Sequence, residues 1–594
     1  MTGKIQKRIL ICGILGTFVF SILSWRIVHL QLYKHDYYSG KAAKQHVTRR
    51  TIPARRGQIQ DVRGEVLAVS FPVSRVAMNA REIKNPELLA SVLATSLPMS
   101  KEEILEKIQA NKHRAYTILE KKLPETEAYK LQENLKTHGL HHISFEKHFL
   151  RVYPNDEMLC HVVGYTNYGN EDELKGVQGI EQSMENVLKG HHGYRYSERD
   201  ARQREIFLYR GQEKQPQHGS NVRLTIDMGL QQIVEQEIDK AVEQYTPQGI
   251  SIVMMKPQTG EILAMANRPS FNPNAIPAGN TPGMINRSVI TMTEPGSIFK
   301  IVTVGAVLNE GLVNQDTVIY CENGRYFYGG TSLKDHHPYG GLSVKNILVK
   351  SSNIGSAKLA MQMGEAKLHE YVHRFGFGHL TGIELPGEIR GLVNPLPQWS
   401  KISITRIPMG HEIAATSVQL VRAMAVIANG GMLVSPHLVH TVVTDDGSVV
   451  FPDAKKQTRV ISRDAARVVT EALVAVVGDQ GTARRAQVKG FSVAGKTGTA
   501  QRLADDGRGY AKNKYVVSFL GFMPAERPAF VMLVRVDDAN TEPGMNYGGL
   551  VAAPIFAEIA GKAARYLGLE PQVEPPAETP ETRDRTKITQ LTTY

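Results

Sequence analysis

Three features of the chain predict a mixed α/β (α+β) fold behind one membrane-spanning helix. They are an apolar run behind three cations at the N-terminus, a change of hydrophobic period near residue 224, and strand-like runs at both ends of the segment that follows. Lys4, Lys7 and Arg8 precede the almost uncharged stretch Ile9–Trp25. At 1.5 Å per residue that stretch spans about 26 Å, enough for the hydrocarbon core when Arg26 snorkels and Trp25 sits in the interface. No small-residue cleavage site follows, so the run reads as an uncleaved signal anchor. The positive-inside bias places residues 1–8 in the cytoplasm and everything beyond about residue 30 outside.

The anchor is assigned to residues 9–30, and the polar, basic stretch 31–50 reads as a juxtamembrane linker. Residues 51–222 mix short alternating runs with charged helical ones (Lys101–Lys112, Thr126–Lys136), as in an α+β accessory domain. In Asp227–Tyr245, Leu230, Ile233, Val234, Ile238, Ala241, Val242 and Tyr245 recur at helical spacing, with Asp227 as N-cap. Ile250–Met255 and Glu261–Ala266 then form a hairpin around Lys256-Pro-Gln-Thr-Gly260. At the far end Lys514–Gly521 and Ala529–Asp537 read as strands, and Pro554–Leu567 as a helix stopped by Gly568. Residues 223–568 therefore describe an α/β sheet assembled from both ends of the segment around a helical middle. The Pro-, Glu- and Thr-rich end, 569–594, cannot bury enough apolar surface to order itself and is expected to be disordered.

The 594 residues are 42% hydrophobic and 22% charged, which excludes wholesale disorder, a fibrous repeat and a polytopic membrane protein. A net charge of +12 suits a nucleic acid, an anionic membrane surface or an acidic polymer as neighbour and does not choose among them. Cys12, Cys160 and Cys321 lie far apart without CxxC spacing, which indicates neither a disulfide framework nor a structural zinc site; free thiols are expected.

Chemistry concentrates at three places. Glu294-Pro-Gly-Ser297-Ile-Phe-Lys300 runs from a turn into an apolar helix, so Ser297 falls at a buried helix N-terminus. Lys300, three residues on, reaches the same face, where a desolvated amine can serve as base. Ser144-Phe-Glu-Lys147 has the same spacing, but Ile143, Phe145 and Phe149 alternate as in a strand, which turns its serine and lysine to opposite sides. The second place is Lys350-Ser351-Ser352-Asn353, a polar break before a helical stretch, where a serine N-cap is the competing explanation. The third is Lys496-Thr497-Gly498-Thr499, read as closing a strand-like stretch from Val488. Gly490 to Thr497 also satisfies a phosphate-loop pattern, but no apolar-faced helix follows and the loop interior, Phe-Ser-Val-Ala, looks like strand. The pairs His141-His142, His191-His192 and His336-His337 stand in polar stretches without matching acids and are assigned to surface loops; no metal is expected.

Ser-x-x-Lys, Ser-x-Asn and Lys-Thr-Gly in that order resemble the serine acyltransferases that react with penicillin. The resemblance extends to a class B penicillin-binding protein, most like the division-specific peptidoglycan D,D-transpeptidase. It rests also on Arg56-Gly57-x-Ile59-x-Asp61-x-x-Gly64, Leu263-Ala-Met-Ala-Asn267, Asn272-Pro-Asn274, Tyr547-Gly-Gly549 and Ala552-Ala-Pro554, and it covers about residues 51–567. One departure precedes Thr416-Ser-Val-Gln-Leu420: where many members carry Gly-x-Gly, this chain has Gly410-His411-Glu412.

The resemblance implies a serine β-lactamase-like transpeptidase domain over 223–568 behind a pedestal or dimerisation-type domain over 51–222. It implies Ser297 as nucleophile toward the penultimate D-alanine of a stem peptide, Lys300 as its base, and Ser351 as proton carrier to the leaving amine. Asn353 would hold the substrate amide, Lys496 would supply positive potential, and Thr497 and Thr499 would bind the terminal carboxylate. Gly498 would let the substrate backbone lie on the strand, and the N–H groups of Ser297 and Thr499 would form the oxyanion hole. No cofactor is implied. The partners implied are peptidoglycan stem peptides, β-lactam antibiotics, a membrane-embedded glycan polymerase and division proteins; nucleic acid is not among them. The location implied is the inner membrane, single-pass, with a periplasmic body. An elongation enzyme shares every motif, a β-lactamase or β-lactam sensor leaves the accessory domain unexplained, and a non-catalytic division scaffold leaves the intact motifs unexplained.

Overall fold

The computed structural model describes residues 2–168, 173–199, 205–206, 213–279, 281–453, 455–503, 509–542 and 544–571. The tail expected over 569–594 lies, from residue 572 onward, outside the described residues. The chain divides into two compact units. One comprises Met1–Arg55, Pro72–Phe149 and Gly190–His218; the other comprises Arg56–Phe71, Leu150–Lys189 and Gly219–Tyr594. The stretch 51–222 is thus shared between them.

In the first unit a helix covers Thr2–Val28, and Gly3–Tyr33, whose most apolar stretch is exposed throughout, is the single segment among the described residues long and apolar enough to cross a membrane. The helix takes in residues 2–8, which the sequence reading assigned to a tail. The linker is regular as well: a helix spans His35–His46, and strand Val47–Ile52 pairs antiparallel with Gly193–Arg199. The body between Pro72 and Phe149 sets helices Pro86–Leu93, Lys101–Ala110 and Glu125–Thr137 beside strand Thr117–Pro124, around a core of Val76, Leu89, Leu93, Ile104, Leu119 and Leu131. Ser100 and Glu103 close a capping box at the start of Lys101–Ala110, satisfying two helix-end N–H groups that would otherwise lack partners. Ser144 and Lys147 lie on strand Ile143–Val152, as predicted, and Lys147 pairs with Glu125.

The second unit is organised on a five-stranded antiparallel sheet. Its strands are β1 (Gly249–Met255), β2 (Ile262–Arg268), β3 (Ala494–Leu503), β4 (Tyr510–Met523) and β5 (Phe530–Asp537), in the order β2-β1-β5-β4-β3. Every residue of β1 and β5 is buried, so both faces are covered; the strands are apolar apart from Ser251 and the pair Arg535–Asp537, joined at 2.7 Å. Helix α1 (Met228–Tyr245) packs on helix α5 (Ala552–Tyr566) on one face, where Phe519 meets Phe556 edge to face at 4.7 Å. The opposite face carries the helical middle: α2 (Lys300–Asn309), α3 (Asn353–Met363) and α4 (Ser417–Ala428). Ser251 of β1 reaches Ser417 there at 3.2 Å. Asp227 caps α1 by accepting from the N–H groups of Gly229 and Leu230, as the sequence predicts. Cys12, Cys160 and Cys321 are free thiols.

The Arg56–Gly64 motif is explained inside this unit. Arg56 is buried against Glu181 (2.6 Å) and Glu185 (2.7 Å), and Arg151 takes the other oxygen of Glu181 at 2.6 Å. Two cations around one buried carboxylate require such close pairing, because an unpaired charge there would be expensive. Asp61 accepts from the N–H groups of Arg63 and Glu65, bending the chain through Gly64 at φ +92°.

Candidate active site

Pro295 and Gly296 lead into a 3₁₀ turn, Gly296–Phe299, and α2 begins only at Lys300. Ser297 therefore stands one turn ahead of the α-helix, a small correction to the sequence reading. Residues three apart superpose in a 3₁₀ turn, and Lys300 Nζ lies 3.0 Å from Ser297 Oγ. Lys300 to Val307 are all buried, which fixes the lysine in the body of the unit.

The serine cap and the candidate site turn out to be adjacent residues. Ser352 caps α3, its Oγ accepting from Gly355 N at 2.9 Å, while Ser351 sits just before it in the left-handed region at φ +57°. That conformation turns the Ser351 hydroxyl toward two lysines, 3.1 Å from Lys300 Nζ and 2.9 Å from Lys496 Nζ. Asn353 Oδ1 accepts from Lys300 at 2.8 Å, and its amide donates to Lys334 O.

Asp335, which the sequence reading did not single out, holds the loop in place. Its carboxylate accepts from Ser352 Oγ (2.6 Å), Asn353 N (2.5 Å) and Ile354 N (3.1 Å). Asp335→Ala removes three acceptor contacts at a helix start and is expected to cost about 2–3 kcal/mol of stability, read as a fall in Tm. Displaced Ser351 and Asn353 should also slow acylation by penicillin about 10- to 100-fold.

Lys496 to Thr499 do not close a strand from Val488. They lie near the start of β3, the end strand of the sheet, paired with Leu520 to Val517 of β4. Alternation along β3 buries Lys496 and Gly498 toward the helical middle and leaves Thr497 and Thr499 half-exposed. The last four residues of the phosphate-loop pattern, Ala494 to Thr497, are thus strand. A side chain at Gly498 would meet Ser518 Oγ at 2.5 Å and Pro295 O and Ile298 at 3.1 Å, so the residue makes room for the turn that carries Ser297. Gly296 in turn lies so close to β3 that a Cβ on it would sit 3.1 Å from Thr499 O. Thr499 Oγ1 accepts from Gly548 N at 3.3 Å, which brings Tyr547-Gly-Gly549 beside the strand.

Electrostatics separates the two lysines. Burial, and then the ammonium of Lys496, hold Lys300 well below its ordinary range; burial alone pushes Lys496 down to about 7. Lys300 Nζ faces two groups that only accept, Ser351 O at 2.5 Å and Asn353 Oδ1 at 2.8 Å, besides the two hydroxyls. A neutral amine gives its two N–H bonds to these carbonyls and keeps its lone pair for Ser297 Oγ–H. The arrangement can take a proton from a serine hydroxyl and pass it through Ser351.

Gly410-His411-Glu412 forms the wall beside Ser297. Gly296 N donates to Gly410 O at 3.2 Å, and Glu412, at φ +58°, keeps a backbone shape that favours glycine. Glu412 N donates to Glu294 at 3.0 Å and its carboxylate accepts from Ser403 Oγ at 2.6 Å. Burial pushes the Glu294 carboxyl up, but donors from His411, Glu412 N and Tyr510 hold it below the usual carboxylate range.

Among the described residues no group of three or more His, Cys, Asp or Glu is placed to hold a metal ion. His369, His373 and His379 meet ring to ring, yet His373 uses opposite ring nitrogens for its two neighbours, which cannot face one ion. His336 is not an isolated surface residue. Its ring meets Tyr547 edge to face at 6.5 Å, and burial lowers its affinity for protons.

The family model of the penicillin-binding protein transpeptidase domain matches residues 250–561, and that of the penicillin-binding protein dimerisation domain matches 51–224. The probable peptidoglycan D,D-transpeptidase PenA of Neisseria meningitidis is 31% identical over 556 residues, 93% of this chain and 91% of that one. The peptidoglycan D,D-transpeptidase FtsI of Escherichia coli K12 is 30% identical over 568 residues, 95% and 92% of the two chains. Among solved structures, penicillin-binding protein 3 of Mycobacterium tuberculosis complexed with aztreonam is similar at a TM-score of 0.67 and 27% identity, covering 89% of this chain and 100% of that one. Two family models in the expected order and relatives matched almost end to end leave one conclusion: the chain belongs to the class B penicillin-binding proteins, the D,D-transpeptidase family.

Proposed function

We propose that the chain cross-links peptidoglycan stem peptides at the division septum through an acyl-enzyme on Ser297. The observation that carries this reading is the Lys300 amine, buried and hydrogen-bonded at once to Ser297, Ser351 and Asn353. Lys300 takes the Ser297 proton as Oγ attacks the carbonyl of the penultimate D-alanine. Ser351, bridged to Lys496, relays a proton to the departing amine of the terminal D-alanine. Burial, and then the positive charge of Lys496, keep Lys300 neutral, and Lys496 draws in the terminal carboxylate, which Thr497 and Thr499 receive. The N–H groups of Ser297 and Thr499 stabilise the oxyanion, and Asn353 holds the substrate amide. A neighbouring stem peptide's amine then resolves the ester.

The N-terminal helix serves as a single-pass anchor in the inner membrane, N-terminus inside, with the catalytic domain in the periplasm and the segment 51–222 as pedestal. Its length, its hydropathy and the cations Lys4, Lys7 and Arg8 support that orientation. Anchor and pedestal bind a membrane-embedded glycan polymerase and division proteins, and β-lactams inhibit the enzyme by acylating Ser297. Depletion of the chain is expected to give filamentous cells. A copy with Ile9–Trp25 exchanged for an unrelated anchor should fail to restore division. Rounded cells would replace the septal role with elongation, and full rescue would refute the anchor's part in partner binding.

A further inference from the structure

Beside the lysine pair stands a second proton-accepting arrangement. Glu294, three residues before Ser297, is a nearly buried carboxylate that gathers three donors from two separate segments. His411 Nδ1 lies 3.1 Å from its Oε2, Tyr510 donates to the same oxygen at 3.0 Å, and Glu412 N donates to Oε1 at 3.0 Å. A carboxylate only accepts, so Nδ1 of His411 carries the hydrogen and Nε2 of the neutral ring keeps its lone pair. Among the described residues Nε2 has no protein partner, and the His411 side chain is 30% exposed. The charged and titratable groups around the ring are Glu294, Tyr510, Glu412 and Arg406, whose carbonyl accepts from His411 N at 3.2 Å. Burial and the neighbouring Glu294 push Tyr510 up to about 12, so it stays a neutral donor at neutral pH.

The place of this pair in the site follows from the backbone. Gly410 rests on Gly296 so tightly that a Cβ would come 2.2 Å from Gly296 O, and Gly296 rests in turn on Thr499. Gly410 and Thr499 therefore both lie against Gly296, which places His411, the residue after Gly410, near the Thr499 end of the Ser297 turn. Under the reading above, the leaving D-alanine is bound at that Thr499 end. The acceptor amine must arrive where the first amine left, since aminolysis retraces acylation.

We propose that His411, oriented by Glu294, takes the proton of the acceptor ammonium before it attacks the acyl-enzyme, an assignment that rests on the transpeptidase reading. The amine reaches the site as R–NH₃⁺. His411 Nε2 removes one proton to leave R–NH₂, the nitrogen forms the new C–N bond, and the C–O bond to Ser297 breaks. Ser297 Oγ regains through Lys300 the proton that the nitrogen sheds, and His411 releases its own proton to solvent.

The test uses the full chain in detergent with an N-acyl-D-alanyl thioester as donor, measuring aminolysis against hydrolysis of the acyl-enzyme. With D-alanine as acceptor, His411→Gln and Glu294→Gln should each lower the aminolysis-to-hydrolysis ratio at least tenfold at pH 7.5. Hydroxylamine is already neutral at that pH, and with it the ratio should return to within twofold of wild type. Retained thiol release from the donor shows that the variants are folded. An unchanged ratio with D-alanine, or an equal loss with both acceptors, would overturn the assignment while leaving the transpeptidase reading intact. A wild-type chain that forms no acyl-enzyme would overturn both.

Discussion

Ser297→Ala is expected to abolish the covalent penicillin adduct altogether. Intact mass of the wild-type chain should rise by one drug molecule, mapped to the peptide containing Ser297, and the variant should show no increase. Transpeptidation should fall at least about 10⁴-fold, because Lys300 and the oxyanion N–H groups have no nucleophile to serve and members of one catalytic unit are not additive. The variant should fold normally: Ser297 is half-buried, and its described hydroxyl contact is Lys300 Nζ at 3.0 Å. Rapid turnover of the drug without a lasting adduct would make the protein a β-lactamase instead. No reaction in the wild type would favour a division scaffold.

Lys300→Met is expected to slow acylation about 10³-fold while raising thermal stability. The lost rate is that of a general base. The gain follows from linkage. Between the depressed folded pKa and the ordinary 10.5 the unfolded chain holds a proton that the folded site lacks, so folding pays a penalty that is full at lower pH and shrinks as pH rises toward 10.5. Methionine fills the same space and carries no charge to bury. The same shift fixes the pH profile. Wild-type acylation should fall as pH drops and Lys300 becomes protonated, and in Lys496→Met the acid limb should move to higher pH, because the neighbouring positive charge no longer opposes that proton. A limb that stays in place would mean that Lys496 does not tune Lys300. A Lys300→Met chain less stable than wild type would mean that the lysine is structural.

What was legible in the sequence was local. The Ser297–Lys300 spacing, the Asp227 cap, the hairpin around Lys256–Gly260 and the closing helix are set by residues within one or two turns of each other, where period and turn chemistry act. The strand reading from Val488 failed for a local reason too: the apolar residues of 488–494 look like strand, but regular pairing begins at Ala494. Asp335 was invisible because its partners begin 17 residues downstream and an aspartate after a lysine in a polar stretch carries no pattern. The Glu294 cluster was more hidden still, since it joins residues 118 and 216 positions apart. The sequence did mark the spot, by putting Glu412 where relatives use glycine. What that change did to the wall needed the backbone angle and the Glu294 bond to see.

Lys496 has a consequence outside catalysis. It sits on the end strand of the sheet, and such an edge presents a row of backbone donors and acceptors that a strand from another molecule could join. Natural sheets guard such edges with charges directed inward, and Lys496, fully buried at its third position, is a charge of that kind. Gly548 also lies against this strand, where a Cβ on it would sit 2.6 Å from Gly498 O. The groups that leave this edge open to a peptide also make it a poor template for a second copy of itself. Solubility of a crowded population and the chemistry of the site are therefore secured by the same few residues.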